Sequence, residues 1–374
     1  MRNSIKVTSI ALFLSALLIL VSCQQQKAEW KGTIEEVDGV IVVKNPKEPM
    51  YGEDVFNLEE ELTIGETKGP EEYMFSQIID VGVDDEESIY ILDFLEAHIK
   101  VFNKSGEYLR TVGRRGQGPG EIQRAINIYI TPGNEILIND RGARYFHFIT
   151  LGGQYIRSIY QGRSSRPKVD TQNNIVARQT IMNTNEVRFV LKKFDSELNE
   201  LFTIFSYERK PSPGVLNLFA PRCYWEISKN DTIIWGYADK YEFQIHDSDG
   251  RLIRKIIKDH SPVMITKEEK QEWTESRYGE QGVPPDMKVS WKPHHNVFQF
   301  MNGDDEGRIF VQTYEKTTDG SGYYCDVFDS EGKYVVKIPL KTQPWVWKRG
   351  KLYTIEEDDD GFQMVKRYKV TWKY

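Results

Sequence analysis

Residues Ile89–Val112 read IYILDFLEAHIKVFNKSGEYLRTV. They contain three short runs of strand-forming residues, Ile89–Leu92, His98–Phe102 and Tyr108–Val112, with a polar turn, Asn103–Gly106, between the last two. Branched and aromatic residues alternating over four to six positions, bounded by Asn, Ser and Gly, are the signature of paired strands. The stretch decides the fold because it recurs.

The same order of strand, gap, strand, turn and strand returns at Glu135–Asp140 with Phe146–Ile159, Asn174–Ala177 with Val190–Ile204, and Asp231–Trp235 with Phe243–Ile256. It appears twice more, at Gly307–Val311 with Cys325–Ile338 and at Gly350–Ile355 with Gln363–Trp372. The turn positions Gly106, Gly153, Asn199, Gly250 and Gly332 lie 47, 46, 51 and 82 residues apart. Glycine and asparagine are what a turn with positive φ demands, so the recurrence has a backbone cause. A period near 45 residues, with each unit unable to bury both faces alone, defines an all-β ring of propeller type. The last unit shows three strands, and Gly39–Val43 (GVIVV) is expected to supply its fourth, closing six blades by pairing the two chain ends and removing two exposed edges. A seventh blade built from residues 39–64 is the alternative.

Composition agrees. With 39% hydrophobic and 12% aromatic residues in 374, the chain has ample material for a core,. A net charge of −7 argues against general nucleic-acid affinity,. The first 22 residues read as a leader: Arg2 and Lys6, an apolar run from Ile10 to Val21, then Leu20-Val-Ser-Cys23,. The run is short for a bilayer span. The Leu-Val-Ser-Cys sequence resembles the bacterial lipoprotein signal, which implies cleavage before Cys23, acylation of that cysteine and a mature charge near −9 once two cations are lost. The expected organisation is a leader (1–22), a polar tether (23–31) and a propeller (32–374), held to the cell envelope by lipid.

The spacing from the fourth to the fifth unit leaves an insertion at about Asp259–Asn296. Thr266-Lys-Glu-Glu269 fits a capping box opening a charged helix over Lys267–Arg277, and Pro284-Pro285 and Pro293 break the rest of the insertion,. Insertions of this length on a rigid ring often shape a binding face.

Candidate chemistry lies chiefly in arginine. Between Arg110 and Arg188 there are eleven Arg and one Lys against Glu121, Glu135, Asp140, Asp170 and Glu186. Arginine forks onto carboxylate, sulfate or phosphate. Arg114, Arg115, Arg141, Arg144, Arg163 and Arg166 are therefore expected at one mouth of the channel, binding an anionic glycan or the acidic loop of an envelope protein. Trp273 and Trp291 of the insertion are the aromatics expected to face a ligand.

Other features read as structure. Gly113–Gly120 (GRRGQGPG) lacks the Lys-Ser/Thr of a phosphate loop and sits between strands, as a blade-to-blade link does. Glu356–Gly361 lacks the alternating ligands of a calcium loop and reads as a solvated turn. Asp80, Asp84 and Asp93 read as turn residues capping backbone groups. Cys223 and Cys325 read as buried thiols, with a disulfide between them the other option outside the cytoplasm. The six histidines form no HExxH, and no nucleophile elbow is present, so no metal, cofactor or catalytic residue is assigned.

The unit from IYILD to LRTVG, followed by Arg114-Arg-Gly-Gln-Gly-Pro-Gly-Glu-Ile122, resembles NHL-type repeats. With the leader, the whole resembles the six-bladed β-propeller lipoproteins of Bacteroidota, closely over the first two units and loosely over the rest. The resemblance implies a six-bladed ring, a tethered location and a binding or scaffolding role; a monomeric propeller held at the outer membrane, on either face, is the accompanying expectation. An alternative is a hydrolase or lyase acting on a polysaccharide at the same face, and a third is an assembly factor for a larger envelope machine.

Overall fold

The computed structural model describes residues 29–183, 186–209 and 214–373, of which Lys31 onward forms one compact unit. The leader, Cys23 and the tether up to residue 28 lie outside the described residues. Among the described residues no helix is long and apolar enough to cross a membrane.

Six sheets, each built on four antiparallel strands, form the ring. Blade one runs from Ile78 to Val112, blade two from Ala125 to Tyr160, blade three from Ser164 to Arg209, blade four from Cys223 to Lys258, blade five from Phe300 to Leu340, and blade six from Pro344 onward. The first strand of each blade contacts the first strands of both neighbours, so these six strands surround the channel.

The recurrent stretch shows why the pattern works. In Ile89–Asp93 all five residues are buried. Successive side chains point to opposite faces of a strand. Tyr90 and Leu92 enter a core shared with Ile128, Ile136 and Ile138 of blade two. Ile89 and Ile91 enter another with Tyr353 and Val365 of blade six. Each blade is thus a wall between two cores, which is why its central strands are apolar on both faces.

Closure differs in one respect from the expectation. Phe56–Ile64, not Gly39–Val43, is the fourth strand of blade six, antiparallel to Gln363–Trp372 with Ile64 opposite Val365 and Phe56 opposite Trp372. The partner strand is ten residues long, and the nine-residue run FNLEEELTI covers it. The shorter apolar run buries Val42 and Val43 elsewhere. Val40–Asn45 lies parallel to Leu252–Lys258 on the outer edge of blade four, with Thr33–Val37 outside it, making that sheet six-stranded. Residues 39–64 therefore form no seventh blade.

The turns share one construction. Asn103, Asp195, Asp247 and Asp329 each accept from the N–H groups two and four residues on, and the residue three on takes positive φ,. That residue is Gly106, Gly250 and Gly332 in three blades; in blade three it is Leu198 (φ 64°), one position before the expected Asn199. The glycines have a second cause. A Cβ on Gly332 would stand 2.6 Å from Ile256 of the preceding blade, and one on Gly106 would stand 2.5 Å from Leu62. Asp358 builds the same turn within Glu356–Gly361. Asp84 and Asp93 cap backbone N–H groups as expected.

The insertion carries a helix over Lys267–Tyr278, with both bonds of the Thr266–Glu269 capping box formed. Cys223 and Cys325 are buried free thiols.

Candidate functional site

A cavity of about 480 Å³ opens where blades three and four meet. Its polar side is built by Arg166, Arg178 and Arg222.

Arg166 lies on the innermost strand of blade three, Ser164–Val169, where the register slips between Ser165 and Lys168. It adopts φ 53°, a conformation that costs a non-glycine residue about 1–2 kcal/mol,. Pro167 follows and has no N–H to keep the ladder regular,. Bulges of this kind re-aim a side chain, and here the side chain turns to the cavity,. Arg178 comes from the next strand, donates to Ser165 Oγ at 3.4 Å and lies 5.3 Å from the centre of the Phe189 ring. Its Nε is buried without a hydrogen-bond partner. Arg222 ends the link that leads into blade four, beside Tyr224.

The three guanidinium groups form one electrostatic cluster. Although Arg166 is exposed to the cavity, the protein packed around it lowers its pKa by desolvation, and the like charges of Arg178 and Arg222 lower it further. Burial raises the Tyr224 hydroxyl pKa, with Arg222, Arg166 and Arg178 all acting against that rise. Among the described residues no carboxylate pairs with any of the three arginines. Glu208, on the cavity wall, pairs with Arg188 at 3.5 Å. Asp80 of blade one acts on Arg166 from within the channel. Its oxygens are already held by Trp345 Nε1 at 2.6 Å, Ile128 N at 2.7 Å and Val81 N at 3.0 Å. Burial pushes the Asp80 pKa up to about 6 against these bonds.

The apolar side contains Phe189, Tyr207 and Tyr237, and the remaining wall is the link Asn217–Arg222. That link is held from outside by the insertion. Val215–Leu216 pairs with Lys288–Val289, and Phe219 meets Trp291 at 5.6 Å and His295 at 5.9 Å. Cys223 also borders the cavity, but burial pushes its thiol up to about 12, which leaves it without thiolate character,.

Of the arginines singled out in the sequence, Arg166 lines this cavity. Arg114 pairs with Glu121 at 2.6 Å, and Arg115 donates to the Leu95 carbonyl, both in the link from blade one to blade two. Arg141 and Arg144 occupy the turn between the second and third strands of blade two, where Arg144 stacks 5.4 Å from the Tyr160 ring. Arg163 sits in the following link. Inter-blade links and second-to-third turns emerge where the inner strands begin, so these residues share one end of the ring with the insertion. Trp273 and Trp291 pack edge-to-face at 5.6 Å, with Lys270 over Trp291. Trp291 fixes the insertion to the link through Phe219, Trp273 packs within the insertion, and neither lines the cavity. Sequence reasoning missed Arg178 and Arg222. The signal for Arg178 was a charged residue interrupting the otherwise buried opening of Ile175–Asn183. Among the described residues no cluster of His, Cys, Asp and Glu has the geometry to hold a metal ion.

The ring and its cavity define a six-bladed β-propeller with a basic pocket on the face where its inner strands begin. The chain belongs to the DUF5128 family, described as a 6-bladed beta-propeller, whose profile matches residues 66–274. A protein of Bacteroides fragilis NCTC 9343 named as exported is similar in structure, with a TM-score of 0.56 and 11% identity over 89% of this chain and 100% of its own. A member of the DUF4221 family from Bacteroides vulgatus is similar with a TM-score of 0.53 and 11% identity, over 86% of this chain and 100% of its own. At these identities the likeness is one of fold. None of the curated proteins matches the chain in sequence.

Proposed function

We propose that this propeller is a non-catalytic binding module of the cell envelope that takes an anionic ligand, an acidic glycan or an acidic loop of an envelope protein, into the cavity between blades three and four. The observation that carries the reading is the convergence of Arg166, Arg178 and Arg222 on one cavity with no carboxylate paired to them among the described residues. Guanidinium groups with no paired carboxylate keep their N–H donors free for an anion, which they hold through charge-assisted, bidentate bonds. The aromatic wall offers apolar surface to the rest of the ligand, as sugar-binding and peptide-binding pockets do.

The alternative, a hydrolase or lyase acting on polysaccharide, needs two carboxylates, a metal, or a base on the cavity wall with a pKa near neutrality. Glu208 is the one carboxylate on the described wall and is engaged by Arg188, while the Tyr224 and Cys223 pKa values are raised. These features favour binding.

Lipid attachment through Cys23, a place at the outer membrane, kinship with NHL-repeat propellers and a monomeric state belong to the same proposal. The test is direct titration of the protein with uronate-containing, sulfated and neutral oligosaccharides. Saturable binding of acidic chains that Arg178→Ala abolishes supports the reading. Equal binding of neutral and acidic chains would refute it.

A further inference from the structure

The charge of the cavity constrains the charge of its occupant. Three guanidinium groups act on the one Tyr224 hydroxyl, which places them around a common volume. The described negative groups nearby are committed. Glu208 pairs with Arg188, which also pairs with Glu186 at 2.9 Å. Asp80 accepts three N–H bonds at the junction of blades one, two and six. The three arginines that line the cavity outnumber its one lining carboxylate, Glu208, by two, and a single carboxylate on the occupant leaves part of that excess facing itself. Arg178 adds a geometric demand, since its buried Nε is sealed from the cavity and only its terminal nitrogens, one of which reaches Ser165, are left to meet an occupant. An acceptor group presenting several oxygens satisfies such a site, and a lone carboxylate presents two.

We infer that the ligand carries at least two negative charges at the end that enters the cavity, as a phosphate monoester or a pair of carboxylates does, attached to a body that packs on the aromatic wall. This rests on the reading of the cavity as an anion site and deepens it. The volume of about 480 Å³ lies within the range of small-ligand pockets, so a charged sugar-sized unit fits it in scale,.

The experiment is titration calorimetry of the intact protein at fixed ionic strength with four hexose-derived probes: glucose 6-phosphate, glucarate, glucuronate and glucose. The phosphate monoester carries roughly −1.5 to −2 at neutral pH. Glucarate carries two carboxylates, glucuronate one, and glucose none. Glucose 6-phosphate or glucarate is expected to bind roughly tenfold more tightly than glucuronate, and whichever of the two is tighter identifies the source of the double charge. Arg166→Gln, which keeps a polar side chain at the bulge, is expected to shrink that preference while leaving the thermal midpoint in place. If glucuronate binds as tightly as both doubly charged probes, the inference falls and the anion site stands. If no anion binds better than glucose, both fall.

Discussion

Trp345, on the innermost strand of blade six, donates its indole N–H to Asp80, on the innermost strand of blade one, at 2.6 Å. The same carboxylate accepts from the backbone of Ile128 in blade two. One side chain thus ties three blades together at the channel, across the seam where the chain closes its ring.

Asp80 should leave a pH signature. Burial raises its pKa from the ordinary value of 3.8 to about 6. The folded protein then holds this proton more tightly than the unfolded chain, so stability falls as pH rises between these values. The contribution is fully present below about pH 4 and lost above about pH 6, a loss of roughly 3 kcal/mol at most,. Urea unfolding of the wild type and Asp80→Asn across this range checks it. The stability difference, wild type minus variant, should shrink with rising pH, and a flat difference would show that Asp80 titrates normally.

Asn45 joins the added strands of blade four to blade five. Its amide donates to the Gly332 carbonyl at 2.9 Å and accepts from Tyr334 N at 2.7 Å. Asn45→Ala leaves buried backbone groups without these partners, and each such loss costs about 1–3 kcal/mol. An unfolding free energy lowered by about 3 kcal/mol is expected, against almost none for Asn57→Ala on the exposed face of the closing strand.

The turn glycines separate backbone strain from packing. Gly320 has φ 72° and open space where a Cβ would go, whereas Gly332 has φ 88° and Ile256 at 2.6 Å. Gly320→Ala should cost about 1 kcal/mol from conformation alone. Gly332→Ala adds overpacking and should cost about 2–4 kcal/mol. Equal losses in denaturant titrations would mean that the blade interface yields freely.

These contrasts show what was legible in the sequence. Asn103–Gly106 and its counterparts carried the fold because a turn's φ requirement is written in the residue itself. The closing strand was less legible, since GVIVV reads as the strand for that place and only the length of Gln363–Trp372 selects the longer run FNLEEELTI instead. Arg166 was visible as one arginine in an arginine-rich region. Its partners were not, because Arg178 and Arg222 sit 12 and 56 residues further on, the first brought to it across a strand pair and the second at the junction of blades three and four. Trp291 reads from the sequence as a ligand-facing aromatic, and the structure gives it Phe219 and Trp273 as neighbours.

Trp291 therefore offers a test at a distance. Trp291→Ala removes the ring that braces Phe219 and with it the outer support of the Asn217–Arg222 link. Hydrogen exchange in residues 214–222 should accelerate and anion affinity should weaken roughly tenfold, with the unfolding midpoint of the ring nearly unchanged. Unaltered exchange in the link would show that the insertion does not support it.

The most direct measurement is anomalous diffraction from crystals soaked in selenate, a dianion that reports its own position. The expected result is a selenate within hydrogen-bond reach of Arg166, Arg178 and Arg222 in the wild type, absent from Arg166→Ala/Arg178→Ala crystals. Selenate bound at the exposed Arg114, Arg141 or Arg144 with none in the cavity between blades three and four would contradict the assignment of that cavity as the anion site.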